Sequence, residues 1–343
     1  MPDERDKIRV LFIIQGREVP MSRLRVLQYL PAFEEAGIGC EVIEKPKRFL
    51  KRLGHLKRFR DFDVLLVQRY RYQPWELALV KRAAKRLVYD FDDAVMFPNS
   101  LSPKRTSRSR QARFRRMVRA VDCVFAGNAF LAEQARAHCD WVEAIPTALD
   151  REAYAPRTWP SSDPAQFTLG WIGASTSLHY LERLKSVLDR VHDARPNVRL
   201  KIVSRRFFDC DRMPVDKKTW RLEEEAEDLR SFDVGLMPLT MDTWSEGKCA
   251  LKILQCHAVG VPVVCTPVGM NKEVVVEGET GCLASTEDGW VEKIVSLLDD
   301  REARIRMGAE GRRRLEARYS VQATAPRMIA AFRRLAAMDR EGG

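Results

Sequence analysis

Short apolar runs alternate with amphipathic segments throughout the first half of the chain. The runs at 8–14 (IRVLFII), 62–68 (FDVLLVQ) and 87–91 (LVYDF) contain few polar residues, which is typical of strands buried in a parallel sheet. Between such runs apolar residues recur at helical spacing, as they do at 23–36. The alternation predicts a doubly wound parallel α/β sheet. The expected strands are 8–14, 39–44, 62–68, 87–91, 123–126 and 142–146.

The same alternation restarts after a proline-rich stretch at 153–166, which is typical of a linker. The chain is therefore expected to form two Rossmann-like domains that face a cleft, an N-terminal one at 1–155 and a C-terminal one at 156–320. The remaining segment, 321–343, contains a final amphipathic helix at 321–338. The expected strands of the second domain are 168–172, 198–203, 233–239, 261–267 and 281–285.

Composition is that of an ordinary globular protein. The 343 residues are 45% hydrophobic and 31% charged, which argues against disorder, collagen or a coiled coil. No run of about 18 apolar residues is present, so the sequence predicts no membrane-spanning helix. The charged opening MPDERDKIRV is unlike a secretory signal, and the eight cysteines form no CxxC pair. We therefore expect a cytoplasmic protein with reduced thiols.

Positive charge is concentrated in the first half of the chain. The formal net charge is +11, and residues 1–150 contain 29 Lys and Arg against 19 Asp and Glu. Two blocks, 45–60 and 104–119, each hold eight basic residues and no acidic residue. The first block predicts a basic amphipathic helix. Its apolar residues at helical spacing are Phe49, Leu50, Leu53, Leu56 and Phe59.

The sequence leaves three interpretations of these basic blocks open. They can face solvent alone, an anionic membrane surface or nucleic acid. Near an anionic leaflet each Lys or Arg contributes on the order of 1 kcal/mol, so several together would hold a protein reversibly at the inner face of a membrane. No nucleic-acid recognition motif accompanies the charge, so we expect no nucleic-acid partner.

The segment 244–275 carries the most informative pattern of the second half. It contains a predicted helix at 249–259, near whose start Lys248, Lys252 and Gln255 are spaced to share one face. Because the N-terminus of a helix carries a partial positive charge, a lysine there calls for an anionic partner. A diphosphate meets that requirement, and ordinary surface lysines are the alternative.

This segment resembles the C-terminal signature of GT-B-fold glycosyltransferases, in the retaining group marked by Glu-x7-Glu. In that family an acidic loop and a helix precede a Gly-x-Pro-Val-Val strand and a glycine-containing loop, and GVPVV (260–264) and PVGMNKE (267–273) are similar. Similar segments occur in the same order along nearly the whole chain. They are SRLRVLQYLPAFEEAGI (22–38), FDVLLVQR (62–69), LVYDFDDA (87–94), FLAEQA and IPTALD within 130–150, and GWIGAST (170–176).

The resemblance implies a glycosyltransferase that takes a sugar from a nucleotide-diphosphate sugar, with retention of configuration. The implied acceptor is a glycan or a polyprenyl- or lipid-linked precursor of cell-envelope polysaccharide. The helix at 321–338 is expected to return to the first domain. Because the departing phosphate can itself assist deprotonation of the acceptor, neither a metal nor another cofactor is expected. The implied donor-binding residues are Gly173, Ser175, Thr176, Arg205, Gly247, Lys248, Lys252, Gln255, Asn271 and Glu273, and those bordering acceptor and phosphate are Gly16, Arg23 and Arg25.

The sequence departs from the family pattern in three places. The second Glu of the motif falls on Gln255, which accepts hydrogen bonds but carries no charge. The first falls on Gly247, so Glu246 is the expected catalytic contact to the sugar. The Arg/Lys pair that many members carry after the first strand of this domain is missing. Its cationic role is expected to pass to Arg205 and to the two lysines near the start of the helix.

Three aspartates, Asp90, Asp92 and Asp93, lie at the end of a predicted strand. In the glycosyltransferase interpretation Asp92 and Asp93 bind acceptor or sugar hydroxyls, or act as a base on the acceptor. They can instead cap the next segment and pair with arginines. The motif also resembles that of Mg²⁺-dependent haloacid-dehalogenase-like phosphohydrolases, with Asp90 and Asp92 as reacting groups and Asp299 and Asp300 as a late acidic pair. A further alternative is a catalytically inactive binder of anionic polymers.

Overall fold

The computed structural model describes residues 7–45 and 49–338, with side chains from residue 54 onward in the second range. The contacts divide the chain into two compact units. Unit 1 is formed by the described parts of Met1–Ala148, Glu246–Cys249 and Val321–Gly343, and unit 2 by Leu149–Ser245 and Ala250–Ser320. The short segment Glu246–Cys249 thus packs with unit 1, although the chain on either side of it belongs to unit 2.

Within the described residues, unit 1 contains a six-stranded parallel sheet in the order β2-β1-β3-β4-β5-β6. Each strand lies within one of the predicted strand segments, and the central strands β1, β3, β4 and β5 are apolar runs. Because β1 lies between β2 and β3, the chain changes direction across the sheet at β1, as in doubly wound folds. The strands are β1 (Arg9–Ile14), β2 (Gly39–Glu44), β3 (Val64–Gln68), β4 (Leu87–Phe91), β5 (Cys123–Ala126) and β6 (Val142–Ala144).

Unit 2 contains a second six-stranded parallel sheet, in the order β12-β11-β10-β7-β8-β9. Its change of direction lies at β7, which pairs with β8 on one side and with β10 on the other. The strands are β7 (Phe167–Ile172), β8 (Val198–Ser204), β9 (Val215–Thr219), β10 (Val234–Met237), β11 (Val263–Cys265) and β12 (Gly281–Leu283).

Helices connect the strands and cover both sheets. They are α1 (Pro20–Arg25), α2 (Leu30–Glu35), α3 (Phe49–Phe59), α4 (Pro74–Ala83), α5 (Arg108–Ala120), α6 (Ala129–Arg136), α7 (Leu178–Glu182), α8 (Lys185–Ala194), α9 (Glu225–Arg230), α10 (Thr243–Glu246), α11 (Leu251–Ala258), α12 (Asn271–Val274), α13 (Glu287–Asp299), α14 (Arg301–Arg318) and α15 (Val321–Ala337). In the described chain no helix is both long and apolar enough to cross a bilayer.

The core of unit 1 joins its sheet to α2 and α15. The ring of Phe33 on α2 stacks on Phe12 of β1 at 5.7 Å, and Phe332 of α15 meets Phe33 edge-on at 5.4 Å. Such aromatic pairs contribute about 0.5–1.5 kcal/mol beyond the burial of their area. The helix at the end of the chain therefore completes the core of the first unit.

Two local features differ from the sequence expectation. The segment predicted as one helix at 23–36 is broken into α1, a 3₁₀ turn and α2, because Pro31 lacks the N–H needed to continue a helix and instead begins a new one. The strand β9 was not predicted. Its sequence, VDKKT, has no apolar run, since it is an edge strand paired only with β8.

Candidate functional site

Asp90 near the end of β4 forms a buried ion pair with Arg25 of α1. The Arg25 Nε donates to Asp90 Oδ1 at 2.9 Å and Oδ2 at 3.0 Å, its Nη2 donates to Oδ1 at 2.6 Å, and its Nη1 donates to the Ile145 carbonyl at 3.0 Å. Burial alone would lower the pKa of Arg25, but the Asp90 carboxylate holds it above its ordinary value. The expectation that Arg25 borders the acceptor phosphate is wrong, since its guanidinium is enclosed and joins α1 to the sheet.

The same pair removes the basis for a phosphohydrolase. A carboxylate held by a bidentate arginine does not lie open to a phosphoryl group. The predicted late acidic pair is also committed elsewhere, since Asp300 caps α14 by accepting from the Ala303 N–H at 2.8 Å and Asp299 pairs with Arg195. Over the part of the chain that the structure describes, no three His, Cys, Asp or Glu side chains converge as a metal site would require.

Asp92 and Asp93 follow β4 and meet Arg69, which follows the neighbouring strand β3. The Arg69 Nη2 lies 2.7 Å from Asp93 Oδ2, and its Nη1 lies 3.9 Å from Asp92 Oδ1. Arg69 adopts a left-handed backbone with φ of 52°, and its N–H donates to the Asp90 carbonyl at 2.7 Å. Burial works to lower the pKa of Arg69, but the two carboxylates raise it overall. Sequence analysis missed this arginine, although its position directly after an apolar strand was a usable signal.

The segment Glu246–Cys249 lies against this end of β4 within unit 1. Lys248 Nζ is 2.7 Å from Asp93 Oδ1, and Cys249 Sγ is 3.2 Å from the Asp92 carbonyl. Asn128 donates to the carbonyls of Glu246 and Lys248, at 3.1 Å each. The predicted residues Asp93 and Lys248 are therefore in contact, and Asp92 lies beside them, whereas Glu246 is placed near this strand end through its backbone carbonyl.

Gly247 allows this close approach. A Cβ at Gly247 would lie 2.6 Å from the Cβ of Ala94 and 2.8 Å from its backbone nitrogen, closer than any side chain tolerates. The helix α11 begins only at Leu251, after Ala250 in a left-handed conformation. The expectation that Lys248 lies near the first turn of the helix and shares a face with Lys252 is therefore wrong. Lys248 precedes the helix and packs with unit 1.

A second cluster lies in unit 2, where Gly173 follows β7. A Cβ at Gly173 would lie 2.6 Å from Cε of Lys252 and 2.8 Å from the ring of Trp171, so the lysine side chain runs directly over this glycine. The Lys252 ammonium lies 5.4 Å from the centre of the Trp171 ring. Ligands of doubly wound sheets bind beyond the carboxyl end of the strand at which the order reverses, and β7 is that strand. The structure thus brings together two of the predicted donor-binding residues at the expected place.

The neighbouring predicted donor residues flank this point. Ser175 lies in a 3₁₀ turn directly after Gly173, Thr176 in the same turn is exposed, and Arg205 is exposed immediately after β8. β8 pairs with β7 along its whole length, so both loops leave the same edge of the sheet. Hydroxyls, backbone amides and a guanidinium at such an edge are groups that bind phosphate.

Three other predicted donor residues are placed differently. Gln255 is buried in α11. Asn271 is buried and donates to the Thr266 carbonyl at 2.9 Å, while its Oδ1 has no hydrogen-bond partner among the described residues. Glu273 is exposed on α12. The expected open polar face with Lys252 is therefore absent from α11 as described, because Ile253–Ala258 is buried on all sides.

The predicted residue Gly16 lies in the loop after β1, and Arg23 lies on α1. Gly16 accepts a hydrogen bond from the Val19 N–H at 3.2 Å, which closes a turn before α1. Arg23 is half-buried on α1.

Comparison with known proteins shows what this chain resembles. Residues 166–300 match the family described as Glycosyl transferases group 1, so unit 2 carries a domain of this family. Solved structures show the fold over nearly the whole chain. The complex of HepE from Anabaena with UDP and glucose has a TM-score of 0.68 at 14% identity, covering 94% of this chain and 99% of that one. Sucrose-phosphate synthase from Thermosynechococcus elongatus has a TM-score of 0.71 at 15% identity, covering 97% and 100%.

The solved structures share the two-sheet GT-B fold, which confirms the predicted fold class, and the match of residues 166–300 to Glycosyl transferases group 1 agrees with the predicted resemblance. A curated relative is the D-inositol 3-phosphate glycosyltransferase of Corynebacterium urealyticum, which is 34% identical over 122 residues. That match covers 35% of this chain and 27% of the relative. The similarity therefore spans about a quarter of the relative's length.

Proposed function

We propose that this protein transfers a sugar from a nucleotide-diphosphate sugar to a glycan or a polyprenyl- or lipid-linked acceptor. The observation that carries the proposal is the approach of Lys252 to Gly173 at the end of β7, inside the segment that matches the glycosyltransferase family. A lysine held there offers a cation to a diphosphate at the customary ligand site of the sheet. Solved proteins of the same fold were crystallised with UDP and UDP-glucose, which supports this donor class.

We assign donor binding to unit 2 and acceptor binding to unit 1. Lys252, the Gly173–Thr176 turn and Arg205 would contact the diphosphate. Glu246, Asp92 and Asp93 would contact sugar and acceptor hydroxyls. The reaction is proposed to proceed with retention and without a metal, since the departing diphosphate is neutralised by side-chain cations.

A thermal-shift screen across nucleotide sugars tests donor binding, because a ligand that binds only the folded protein raises its melting temperature. At a concentration of about 100 times Kd the stabilisation is about 2.7 kcal/mol. The variant Lys252→Ala should lose at least tenfold in affinity, about 1.4 kcal/mol, for the nucleotide sugar that stabilises the wild type. Lys293→Ala is the matched control, because Lys293 on α13 pairs with Glu277, which precedes β12 rather than following β7. If no nucleotide sugar shifts the wild type, the donor assignment is refuted.

The acceptor is proposed to lie at an anionic membrane surface, which unit 1 would contact through a basic face. All eight cations of 104–119 are exposed, and none forms an ion pair with another described residue. Nearby Arg71 has its pKa lowered, first by burial and also by repulsion from Arg110 and Arg113. Uncompensated positive charge of this kind attracts anionic lipid headgroups.

The structure changes which apolar residues we propose to contact the membrane. Phe59 of α3 and Phe114 of α5 are buried in unit 1, so these two basic helices do not offer them to a bilayer. The expected residues Phe49, Leu50 and Leu53 lie outside the described side chains. Leu101 before α5 and Trp75 at the start of α4 are instead 61% and 47% exposed. We assign them to the headgroup boundary.

Flotation with vesicles tests this part independently of catalysis. The wild type should float with vesicles of phosphatidylcholine and phosphatidylglycerol and remain behind with phosphatidylcholine alone, and salt should weaken the binding. The pair Arg115→Gln/Arg116→Gln should bind less. The pair Arg306→Gln/Arg318→Gln, exposed on α14, removes the same charge from unit 2 and should not. Equally poor flotation with both vesicle types would refute the membrane contact.

A further inference from the structure

A cavity opens in unit 1, in the loop that joins β4 to α5. Its volume is about 470 Å³, which lies within the range of about 300–1,000 Å³ that small-molecule sites occupy. The Ser102 N–H donates to the Asn99 carbonyl at 2.9 Å, so a turn folds the loop back on itself along one wall. All the lining residues belong to unit 1, so this cavity is formed by one unit alone.

Positive charge and hydroxyl groups line the cavity. Of the described residues on its walls, none is acidic, and residues 94–121 contain no Asp or Glu at all. The cationic and hydroxyl side chains are Lys104, Arg108, Arg110, Ser102, Thr106 and Ser109. An apolar ligand would leave these groups without partners, whereas phosphate oxygens accept hydrogen bonds from all of them. The lining therefore favours an anionic ligand.

Two guanidinium groups are held close to the start of this loop. Arg71 Nη1 donates to the Val95 carbonyl at 2.6 Å, and Arg110 Nη1 donates to the Phe97 carbonyl at 3.4 Å. The two carbonyls are only two positions apart in the chain, so they bring the two arginines together. Because a carbonyl is neutral, these hydrogen bonds fix the side chains without compensating their charge.

The electrostatic surroundings of Arg71 agree with an excess of positive charge here. Burial lowers the pKa of Arg71, and repulsion from three other arginines lowers it further. These are Arg110, Arg113 and Arg69. The hydroxyl of Tyr89 acts in the opposite direction, but burial raises its own pKa, so it stays neutral near pH 7. A bound anion would relieve this repulsion.

We propose that this cavity binds a phosphate group, either of a soluble phosphate ester or of a membrane lipid headgroup. Lys104, Arg108 and Arg110 contact its oxygens, and the hydroxyl groups complete the set of donors. The end of α5 is not what forms the site, because Ser107 already caps that helix by accepting from the Arg110 N–H at 3.4 Å. The site requires neither the sugar donor nor the transfer reaction, so it stands independently of that part of the proposed function.

Isothermal titration calorimetry with glycerol 3-phosphate, a phosphate monoester without a lipid tail, tests the site. The variant Lys104→Gln/Arg108→Gln should weaken binding at least about tenfold, because two charge-assisted contacts are lost. Both residues are exposed, so the unliganded variant should melt at the wild-type temperature. Arg115→Gln/Arg116→Gln is the matched control. It removes the same charge from exposed positions of α5 outside the cavity and should keep wild-type affinity.

Two results of this titration would overturn the inference. An equal loss of affinity in Arg115→Gln/Arg116→Gln would show diffuse attraction by the basic helix and no defined site. Loss in Lys252→Ala, with binding retained in Lys104→Gln/Arg108→Gln, would place the phosphate at the proposed donor site. Neither result bears on the nucleotide-sugar screen, so failure of this inference is distinguishable from failure of the proposed function.

Flotation separates the two sources of phosphate. Vesicles of phosphatidylcholine with phosphatidic acid present a monoester, whereas vesicles with phosphatidylglycerol at equal surface charge present a diester. A preference for phosphatidic acid that Lys104→Gln/Arg108→Gln abolishes would identify a lipid headgroup. Binding of glycerol 3-phosphate without this preference would identify a soluble ester. If the wild type shows neither, the cavity binds no phosphate and the inference is overturned.

Discussion

The ammonium of Lys248 lies 2.7 Å from Oδ1 of Asp93, although 155 positions separate the two residues in the chain. This ion pair fastens Glu246–Cys249, which interrupts unit 2 in sequence, onto the carboxyl edge of the unit 1 sheet. The same carboxylate also holds Arg69. Asp93, which follows β4, therefore pairs with two distant parts of the chain, Arg69 after β3 and Lys248 in Glu246–Cys249.

The first prediction concerns the strength of that junction. A double-mutant cycle with Lys248→Met and Asp93→Asn should give a coupling energy of about 1 kcal/mol in urea unfolding, since both side chains are partly exposed. The more exposed pair Arg58–Glu41 is the control and should couple less. Coupling at Lys248–Asp93 no larger than at the control would show that the pair does not hold the segment.

A larger effect is expected from the Arg25–Asp90 pair. Asp90→Asn leaves a buried guanidinium without its counter-charge and should cost about 3–5 kcal/mol of unfolding free energy. Arg25→Met/Asp90→Leu removes both charges, so it should lose much less than the sum of the two single variants. Denaturant titrations measure this, and additive losses would contradict a direct pairing.

The approach of Lys252 to Gly173 predicts the effect of adding one methyl group at position 173. Gly173→Ala places a Cβ against the lysine chain and the buried Trp171 ring, so it should destabilise the protein by about 1–3 kcal/mol. It should also weaken nucleotide-sugar binding, because Lys252 must move aside. Gly54→Ala serves as the control, since nothing lies within 4 Å of a Cβ there. Unchanged donor affinity in Gly173→Ala would place the diphosphate elsewhere.

His257 of α11 predicts a pH dependence of stability. Its ring is buried and its Nε2 donates to the Thr280 carbonyl at 2.9 Å; burial lowers its pKa to about 4. Because the unfolded chain binds this proton below about pH 6.5, the contribution is complete above that pH and is lost as pH falls towards 4. Relative to His257→Gln, the wild type should lose unfolding free energy between pH 6.5 and 4. Parallel curves for both proteins would contradict this.

Chelation tests the proposed metal independence. Sugar transfer should be unchanged by EDTA, because the proposed charge stabilisation comes from Lys252 and neighbouring groups. The comparison needs the same assay with added Mn²⁺ or Mg²⁺. Strict dependence on either ion would show that a metal supplies the neutralising charge.

Hydrophobic patterning determined most of the fold before any coordinates. Apolar runs located the central strands β1, β3, β4 and β5, because strands buried on both faces must be apolar throughout. The edge strands β2 and β6 were predicted too, although they are only half-buried and contain polar residues. The edge strand β9 was not predicted, because solvent surrounds one side of it and its sequence VDKKT is therefore mostly polar. Gly173 and Lys252 were found by resemblance, and their meeting follows from the general rule that loops gather at the carboxyl edge of a parallel sheet.

What the sequence by itself determined was the two-sheet architecture, the basic character of the first half and the type of chemistry at the strand ends. Only the tertiary structure decided which charges meet. Arg25 pairs with Asp90, and Asp93 pairs with Arg69 and Lys248. The ion-pair contact of Asp92 with Arg69 is longer, at 3.9 Å. Local patterns encode burial and helix or strand formation, but the strength of an ionic contact depends on distances of a few ångströms between residues far apart in sequence. Those distances are fixed only when the strands are aligned.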